Sequence, residues 1–391
     1  MFRVSAYGLS SSVKTTAGTA SAGGAASRAS PVSHVVKLGR RSYDWTLAAQ
    51  EKLFKIKVAE EQRIRKSYAA RLMNKTASAE SRAKPLAPEV SSIPDVVLTV
   101  EHTPGVYTVG KRQMPGHFLG GEVGSGRGAT VDGLEQQLPQ SHHGQQVAKI
   151  RRGGGVTWHG PGQITVYPIV SVKRWWETSP QALDVKGSSP LRWYTDVLEK
   201  AIIDGVANCV SSSSSVGDGS GVGGSGDELG VDVVRKRLAA RLTGVWFDDK
   251  KVASIGLQVS DWISMHGYAV NITSDPSWFD KIVMCELPGK HATNLTHIIK
   301  DVRKGGSDAD TAASRLSPRL DSCEDMIVTS LLGRLSGSDS GSDYNRHQSL
   351  SNVSESLVES GRLSSQVVVH DLKEMDCEEV NTVLDRIASG L

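Results

Sequence analysis

Four cysteines in 391 residues, with no CxxC pair and no histidine at metal-ligand spacing, give no basis for a disulfide scaffold or a zinc site. Each of them is, by default, a small buried hydrophobe. Long apolar runs are missing too. No stretch reaches the ~18 to 20 consecutive apolar residues that a membrane span needs, so the chain reads as soluble. Hydrophobic residues are only 38% of the total, low for a compact chain of this length. Length alone suggests two or three domains. Forty glycines and several serine runs point instead to one ordinary domain interrupted by disordered inserts. Acidic residues are absent from positions 1–43, which hold Arg3, Lys14, Arg28, Lys37, Arg40 and Arg41. A basic, Ser/Ala-rich, acid-free start is the composition of an organelle transit peptide. Since the whole chain carries +3 and this segment +6, the remainder carries 3 − 6 = −3, which leaves no basic patch dense enough for a nucleic-acid partner.

After a leader over residues 1–33, Tyr43 to Leu72 reads as a helix, with Leu47, Phe54 and Val58 at helical spacing. Residues 73–94 are loop. Val96–Val100 and Val106–Val109 form two strands about Gly105, and residues 113–145, rich in glycine, form a surface insertion in which His142 and His143 are solvated. A strand resumes at Val147–Arg151. Ser189 and Pro190 start a helix whose apolar face, Leu191, Tyr194, Leu198, Ala201 and Ile202, runs to Val206. A Gly/Ser linker follows, Ser211 to Gly226, within an insertion over 208–232. Val245–Phe247 and Lys251–Leu257 make a hairpin, and Tyr268–Ile272 a further strand. Glu324–Leu335 and Glu378–Ile387 are amphipathic helices, with a disordered Ser336–Ser354 between them.

The chain is organised around RRGGGVTWHGPGQITVYPIV, Arg151 to Val170. Ile164, Val166 and Val170 fall on one face of a half-buried strand. Three glycines before it let the backbone approach another group without Cβ interference. This stretch resembles the signature of the lipoyl(octanoyl) transferases. Leu242 to Asn271, LTGVWFDDKKVASIGLQVSDWISMHGYAVN, is similar to the same family's lysine, small-residue-Gly and His-Gly elements, and Ile282 to Leu295, IVMCELPGKHATNL, supplies a cysteine at the family's spacing. Glu101 to Arg112, EHTPGVYTVGKR, resembles its early strand-turn. The four motifs bracket residues 101–295, about half the chain.

The resemblance implies an α+β fold: a mixed β-sheet flanked by helices, of the biotin/lipoyl protein ligase (class II synthetase-like) kind. It divides the chain into the leader, a catalytic domain over 34–300, and a C-terminal extension over 301–391, partly disordered with helical segments. The chemistry implied is transfer of octanoyl from the phosphopantetheine thioester of acyl carrier protein to a lysine of an apo lipoyl domain, through a thioester on Cys285. The acceptors are the lipoyl domains of 2-oxoacid dehydrogenase complexes and the glycine cleavage H protein. The enzyme implied is a monomer with no cofactor and no metal, in the mitochondrial matrix rather than a plastid.

A free thiol titrates near pH 8.5, so a cysteine nucleophile needs a neighbouring cation. The lysine aligned with the family's is Lys251; adjacent Lys250 would point to the opposite face of a strand. Arg152, Gly153, Gly154, Gly155, Val156, Thr157, Trp158 and His159 would cradle the acyl chain and thioester, His159 either orienting the carbonyl or structuring the turn. Ser254, Ile255 and Gly256 with Gly267, Tyr268 and Ala269 would close the site with backbone donors for a tetrahedral oxyanion. His266 is either part of that closure or a packing residue. Glu286 departs from the family's glycine after the cysteine, and a carboxylate there opposes thiolate formation unless it points to solvent. Two other readings stay open: an ATP-dependent lipoate or biotin protein ligase, which needs no cysteine nucleophile, and a non-catalytic module that docks carrier proteins.

Overall fold

The computed structural model describes residues 33–76, 91–112, 118–119, 139–179, 189–212, 226–241, 244–284, 288–303, 318–336 and 367–390. In chain order the elements are β1 (Ser33–Arg41), α1 (Tyr43–Thr76), β2 (Asp95–His102), β3 (Val106–Val109), β4 (Ser141–His142), β5 (Gln145–Lys149), β6 (Val156–His159) and β7 (Gln163–Ile169). They continue with α2 (Val172–Thr178), α3 (Pro190–Ser212), α4 (Gly226–Arg237), β8 (Leu238–Ala240), β9 (Gly244–Phe247), β10 (Lys250–Ser260) and β11 (Ile263–Asn271). A 3₁₀ turn (Pro276–Lys281), β12 (His291–Ala292), α5 (Leu295–Arg303), α6 (Leu320–Leu335), β13 (Val367–Asp371) and α7 (Cys377–Ala388) complete the set.

The main sheet runs β13-β1-β2-β7-β11-β10-β9-β8, with β12 beside β10. It is mixed: β13 and β2 lie parallel to β1, whereas β2, β7, β11, β10, β9 and β8 are successively antiparallel. Strand alternation sorts its side chains into two cores. Val35, Val97, Ile164, Val166 and Val170 face the helices α3, α5 and α6. Val36, Leu38, Val96, Leu98 and Ile169 face α1 and α7. Ile164, Val166 and Val170 thus share a core face, but β7 is buried on both faces rather than half-buried, because Tyr167 and Ile169 on its other face pack into the second core. A smaller sheet, β4-β5-β3-β6, packs Tyr107, Val109, Trp158 and Met284 with Phe279 of the 3₁₀ turn. This is the α+β, mixed-sheet architecture expected from the sequence.

Several local expectations change. His142 is not solvated: it is buried, and its Nε2 lies 2.9 Å from the carbonyl of Lys281, because β4 and the bridge between Phe118 and Ile282 close the ends of the 113–145 segment onto the small sheet. Leu191 is exposed while Tyr194, Leu198, Ala201 and Ile202 are buried, since the buried face of α3 begins at Trp193. The same face continues through Cys209 and Val210, so residues 208–212 are helix rather than insertion. The remainder of the linker, residues 213–225, the leader through residue 32, and residues 337–354 lie outside the described residues. Beyond residue 301 the chain completes the core: α6 packs on the face of α3, and β13 pairs with β1. Among the described residues no helix is long and apolar enough to cross a membrane.

Candidate active site

The glycine turn is held from two sides by its backbone. Gly110, Lys111 and Arg112, just after β3, donate their N–H groups to Gly155, Arg152 and Gly154 carbonyls at 3.0, 2.9 and 3.2 Å. On the other side Gly153 donates to the carbonyl of Leu257 in β10 at 2.8 Å. Gly154 has φ +87°, a conformation that costs a side-chain-bearing residue about 1 kcal/mol or more. The turn therefore bridges the small sheet and the main sheet, and a cavity of about 290 Å³ opens between them.

Arg152 turns inward. Its Nη2 donates to the carbonyl and the hydroxyl of Thr108 at 2.8 and 2.9 Å, and Nη1 donates to the Gly153 carbonyl at 3.0 Å. Room for it comes from β10, where a Cβ on Gly256 would sit 2.7 Å from Arg152 Cδ. The result is a fixed guanidinium in the cavity wall. Burial, reinforced by this charge, holds two histidines of the same wall neutral, His159 at a pKa of about 4 and His266 at about 3. His159 lies within 2.8 Å of Gln163 Oε1 through Nδ1 and stacks on Tyr43, the first residue of α1, with ring centroids 6.3 Å apart. Behind them His102, also kept neutral by burial, is 2.7 Å from the hydroxyl of Tyr167.

On β10 the alternation separates the two lysines, leaving Lys250 exposed and Lys251 buried in the cavity wall. Lys251 Nζ lies 5.7 Å from the Trp246 ring centroid. Its carbonyl accepts the N–H of Thr293 at 2.9 Å, which ties the lysine position to the chain that returns after the cysteine segment. Cys285 itself lies outside the described residues, together with Glu286 and Leu287. The residue before it, Met284, is buried and lines the same cavity as Lys251.

Of the other residues expected at the site, Arg152, Gly154, Gly155, Val156, Thr157 and His159 line the cavity. Ser254, Ile255 and Gly256 line it together with Gly267, Tyr268 and Ala269, which stand directly across the antiparallel register, Ser254 opposite Ala269 and Gly256 opposite Gly267. Two expected residues do not. Trp158 alternates to the far side of β6 and stacks on Trp278 with centroids 5.8 Å apart, and Gly153 spends its N–H on β10. One expected role changes as well. Tyr268 and Ala269 are flanked by β10 and β7, so their backbone N–H groups belong to sheet ladders and do not serve as oxyanion donors. Tyr43, Arg112, Ile150, Thr165, Tyr167 and Met284 line the cavity without having been singled out. Thr165 and Tyr167 were within reach, since alternation from buried Ile164 and Val166 sends them to the opposite face. Among the described residues no group of three or more His, Cys, Asp or Glu could hold a metal ion.

Residues 83–305 match the family model of the lipoyl protein ligase A/B catalytic domain. The chain belongs to that family. Its relatives include the octanoyltransferase of Thermobifida fusca, 34% identical over 212 residues that cover 52% of this chain and 66% of that protein, just under two thirds of its length. Another is the mitochondrial octanoyl-[acyl-carrier-protein]:protein N-octanoyltransferase LIPT2 of Danio rerio, 31% identical over 206 residues covering 53% of this chain and 68% of the relative. Among solved structures, P. falciparum LipL1 in complex with lipoate superposes with a TM-score of 0.40 at 8% identity, over 91% of this chain and 71% of that one.

Proposed function

We propose that this family member is an octanoyltransferase that works through a Cys285 acyl-enzyme assisted by Lys251. The observation that carries the reading is that Lys251 is buried in the wall of a cavity that Met284, the residue leading into Cys285, also lines. An ammonium there favours the thiolate of a nearby cysteine. In the first half-reaction the Cys285 thiolate attacks the carbonyl carbon of octanoyl-acyl carrier protein, and the pantetheine sulfur leaves and takes a proton. In the second, a lysine amine of an apo lipoyl domain attacks the enzyme thioester, and an amide forms as the C–S bond breaks. The wall suits an acyl chain, being lined by Tyr43, Ile150, Val156, Tyr167, Ile255 and Met284. The fixed Arg152 guanidinium supplies the polarity at one side. The donor, octanoyl-acyl carrier protein, and a protein nitrogen as acceptor are carried over from the name of the Danio rerio relative; a lipoyl-domain lysine as that nitrogen is what the family resemblance implies.

The test is intact-protein mass after incubation with octanoyl-acyl carrier protein, for the full chain and for Cys285→Ala. The expected result is a gain of one octanoyl group, absent from the variant and lost on adding an apo lipoyl domain. A folded wild-type protein that takes no octanoyl group, and instead attaches free lipoate in the presence of ATP, would replace the transferase with a ligase. The name of the Danio rerio relative and the acid-free start of the chain also support residence in the mitochondrial matrix. Because β1 begins at Ser33, the deletion that examines this stops at residue 32. The shortened protein should keep its activity in vitro and stay in the cytosol of transfected cells; undiminished import would remove the leader from the proposal.

A further inference from the structure

A directed chain of side chains runs behind the cavity, and its donor and acceptor senses are fixed by two backbone carbonyls. Gln163 and Asn271 stand opposite each other across the antiparallel β7–β11 pair. Asn271 Nδ2 donates to the Thr293 carbonyl at 3.0 Å, which leaves its Oδ1 as the acceptor toward Gln163. Gln163 Nε2 donates to that Oδ1 at 2.9 Å and to the Trp158 carbonyl at 3.2 Å. Neither amide can be turned over without setting an N–H₂ group against another donor or an oxygen against a carbonyl. Gln163 Oε1 is therefore the atom that faces His159, and an oxygen can only accept. The ring nitrogen 2.8 Å away, Nδ1, must carry the hydrogen, so Nε2 carries the lone pair.

We propose that Gln163 and Asn271 are positioning residues that hold His159 as its Nδ1–H tautomer, so that Nε2 accepts an N–H of the attacking lysine amine and leaves the amine's own lone pair for the thioester carbonyl carbon. This deepens the reading above and rests on it. In that step the amine nitrogen bonds to the carbonyl carbon, the C–S pair returns to Cys285 Sγ, and the proton the amine loses ends on that sulfur. His159 stays neutral throughout. Burial keeps it so, helped by the Arg152 guanidinium and opposed by the hydrogen bond to Gln163; Lys251 from β10, Arg112, neutral His266 from β11, His102 from β2 and the hydroxyls of Tyr43 and Tyr167 are the other titratable or charged groups around it. The far end of the chain meets the same chemistry, because Thr293, which accepts from Asn271, donates its N–H to the Lys251 carbonyl.

The first test reads the wild-type protein directly. Histidine ¹⁵N spectra of the wild-type protein at pH 7, with His159 assigned by its loss in His159→Asn, should show a protonated Nδ1 and an unprotonated Nε2. The opposite tautomer, or an imidazolium, overturns the proposal whether or not an acyl-enzyme forms. The second test follows the two half-reactions separately in Gln163→Leu and Gln163→Glu. Octanoylation of the enzyme should stay close to wild type, while release of preformed octanoyl-enzyme by apo lipoyl domain slows about 10²-fold. In Gln163→Glu the acid limb of the release step should also move up by roughly a pH unit or more, because a carboxylate against Nδ1–H favours the imidazolium, which has no lone pair on Nε2. Equal slowing of both half-reactions with an unmoved pH limb would reduce the pair to structural residues. Failure of the wild type to take up octanoyl at all would defeat the amine-holding role and the parent reading together, and the spectra would still decide the tautomer.

Discussion

Lys251 and Arg152 put two cations into one cavity wall, and they are held in different ways. Arg152 is pinned by Thr108 and Gly153, whereas Lys251 reaches along the Trp246 ring from a strand position fixed by Thr293. Replacing Lys251 by methionine keeps the length of the stem and removes the charge. Octanoyl transfer by Lys251→Met should fall about 10² to 10⁴-fold, with an unchanged circular dichroism spectrum. The neutral histidines give a second prediction. His159 titrates near 6.5 in the unfolded chain and at about 4 in the fold, so the unfolded state binds the extra proton between those values. Stability is therefore full above about pH 6.5 and is lost as pH falls toward 4, by on the order of 3 kcal/mol for this group. His266, at about 3, and His34, lowered to about 4 chiefly by burial, add in the same direction. Urea midpoints at pH 7 and pH 5 should differ markedly in the wild type and less in His159→Gln. The motif made His159, Arg152 and Lys251 visible in the sequence. Tyr43 was not visible, because it reaches the cavity only through the docking of α1.

Asp95, the first residue of β2, joins three elements at one buried point. It pairs with Lys57 of α1 at 2.8 Å and Arg174 of α2 at 2.8 Å, and it accepts from the Ser171 backbone at 3.0 Å and the Trp175 indole at 2.7 Å. Burial alone would raise its pKa, but the two cations and their hydrogen bonds more than offset that and hold the carboxyl well below the usual range. Lys57 also donates to the carbonyls of Ile93 and Pro94. Asp95→Asn leaves two buried cations facing a neutral amide, and it should cost about 3 to 5 kcal/mol in urea unfolding. Lys57→Met with Asp95→Asn should recover part of that loss. In the sequence Asp95 only introduces the apolar strand Val96–Val100, and nothing there marks it as a buried ion-pair centre. A carboxylate at a strand edge gives no periodic signal, and its partners lie 38 and 79 residues away along the chain.

At the scale of the molecule, the strand nearest the start of the described chain is covered by the last. β13 pairs with β1 over Ser33–Lys37, and α7 lays Val380, Leu384 and Ile387 against the core that holds Leu53 and Leu98. Its start is well capped, with Asp376 accepting from Glu378 and Glu379 and Glu379 reaching back to the Asp376 N–H. A chain ending at residue 336 should lose the edge of the sheet and one wall of that core. We expect it to be insoluble, or to melt without a cooperative transition in differential scanning calorimetry. Removing only residues 213–225 and joining the ends with a short Gly/Ser link should leave the melting temperature within a few degrees, since loop-closure entropy changes slowly with length.

What the sequence determined by itself is local. Alternation along β7 and between Lys250 and Lys251 of β10 chose the inner faces, Gly154 fixed a turn that few other residues can make, and Pro190 behind Ser189 marked a helix start. Four motifs in order were enough to name the family, because each is a short backbone device whose residue types are dictated by its shape. The tertiary structure decided what is brought to the cavity from a distance: Tyr43 from α1, His266 in a left-handed conformation at φ +60°, and the Gln163–Asn271–Thr293 chain. These depend on strand register and on helix docking, which come from the balance of buried surface over the whole chain and leave no period in the sequence.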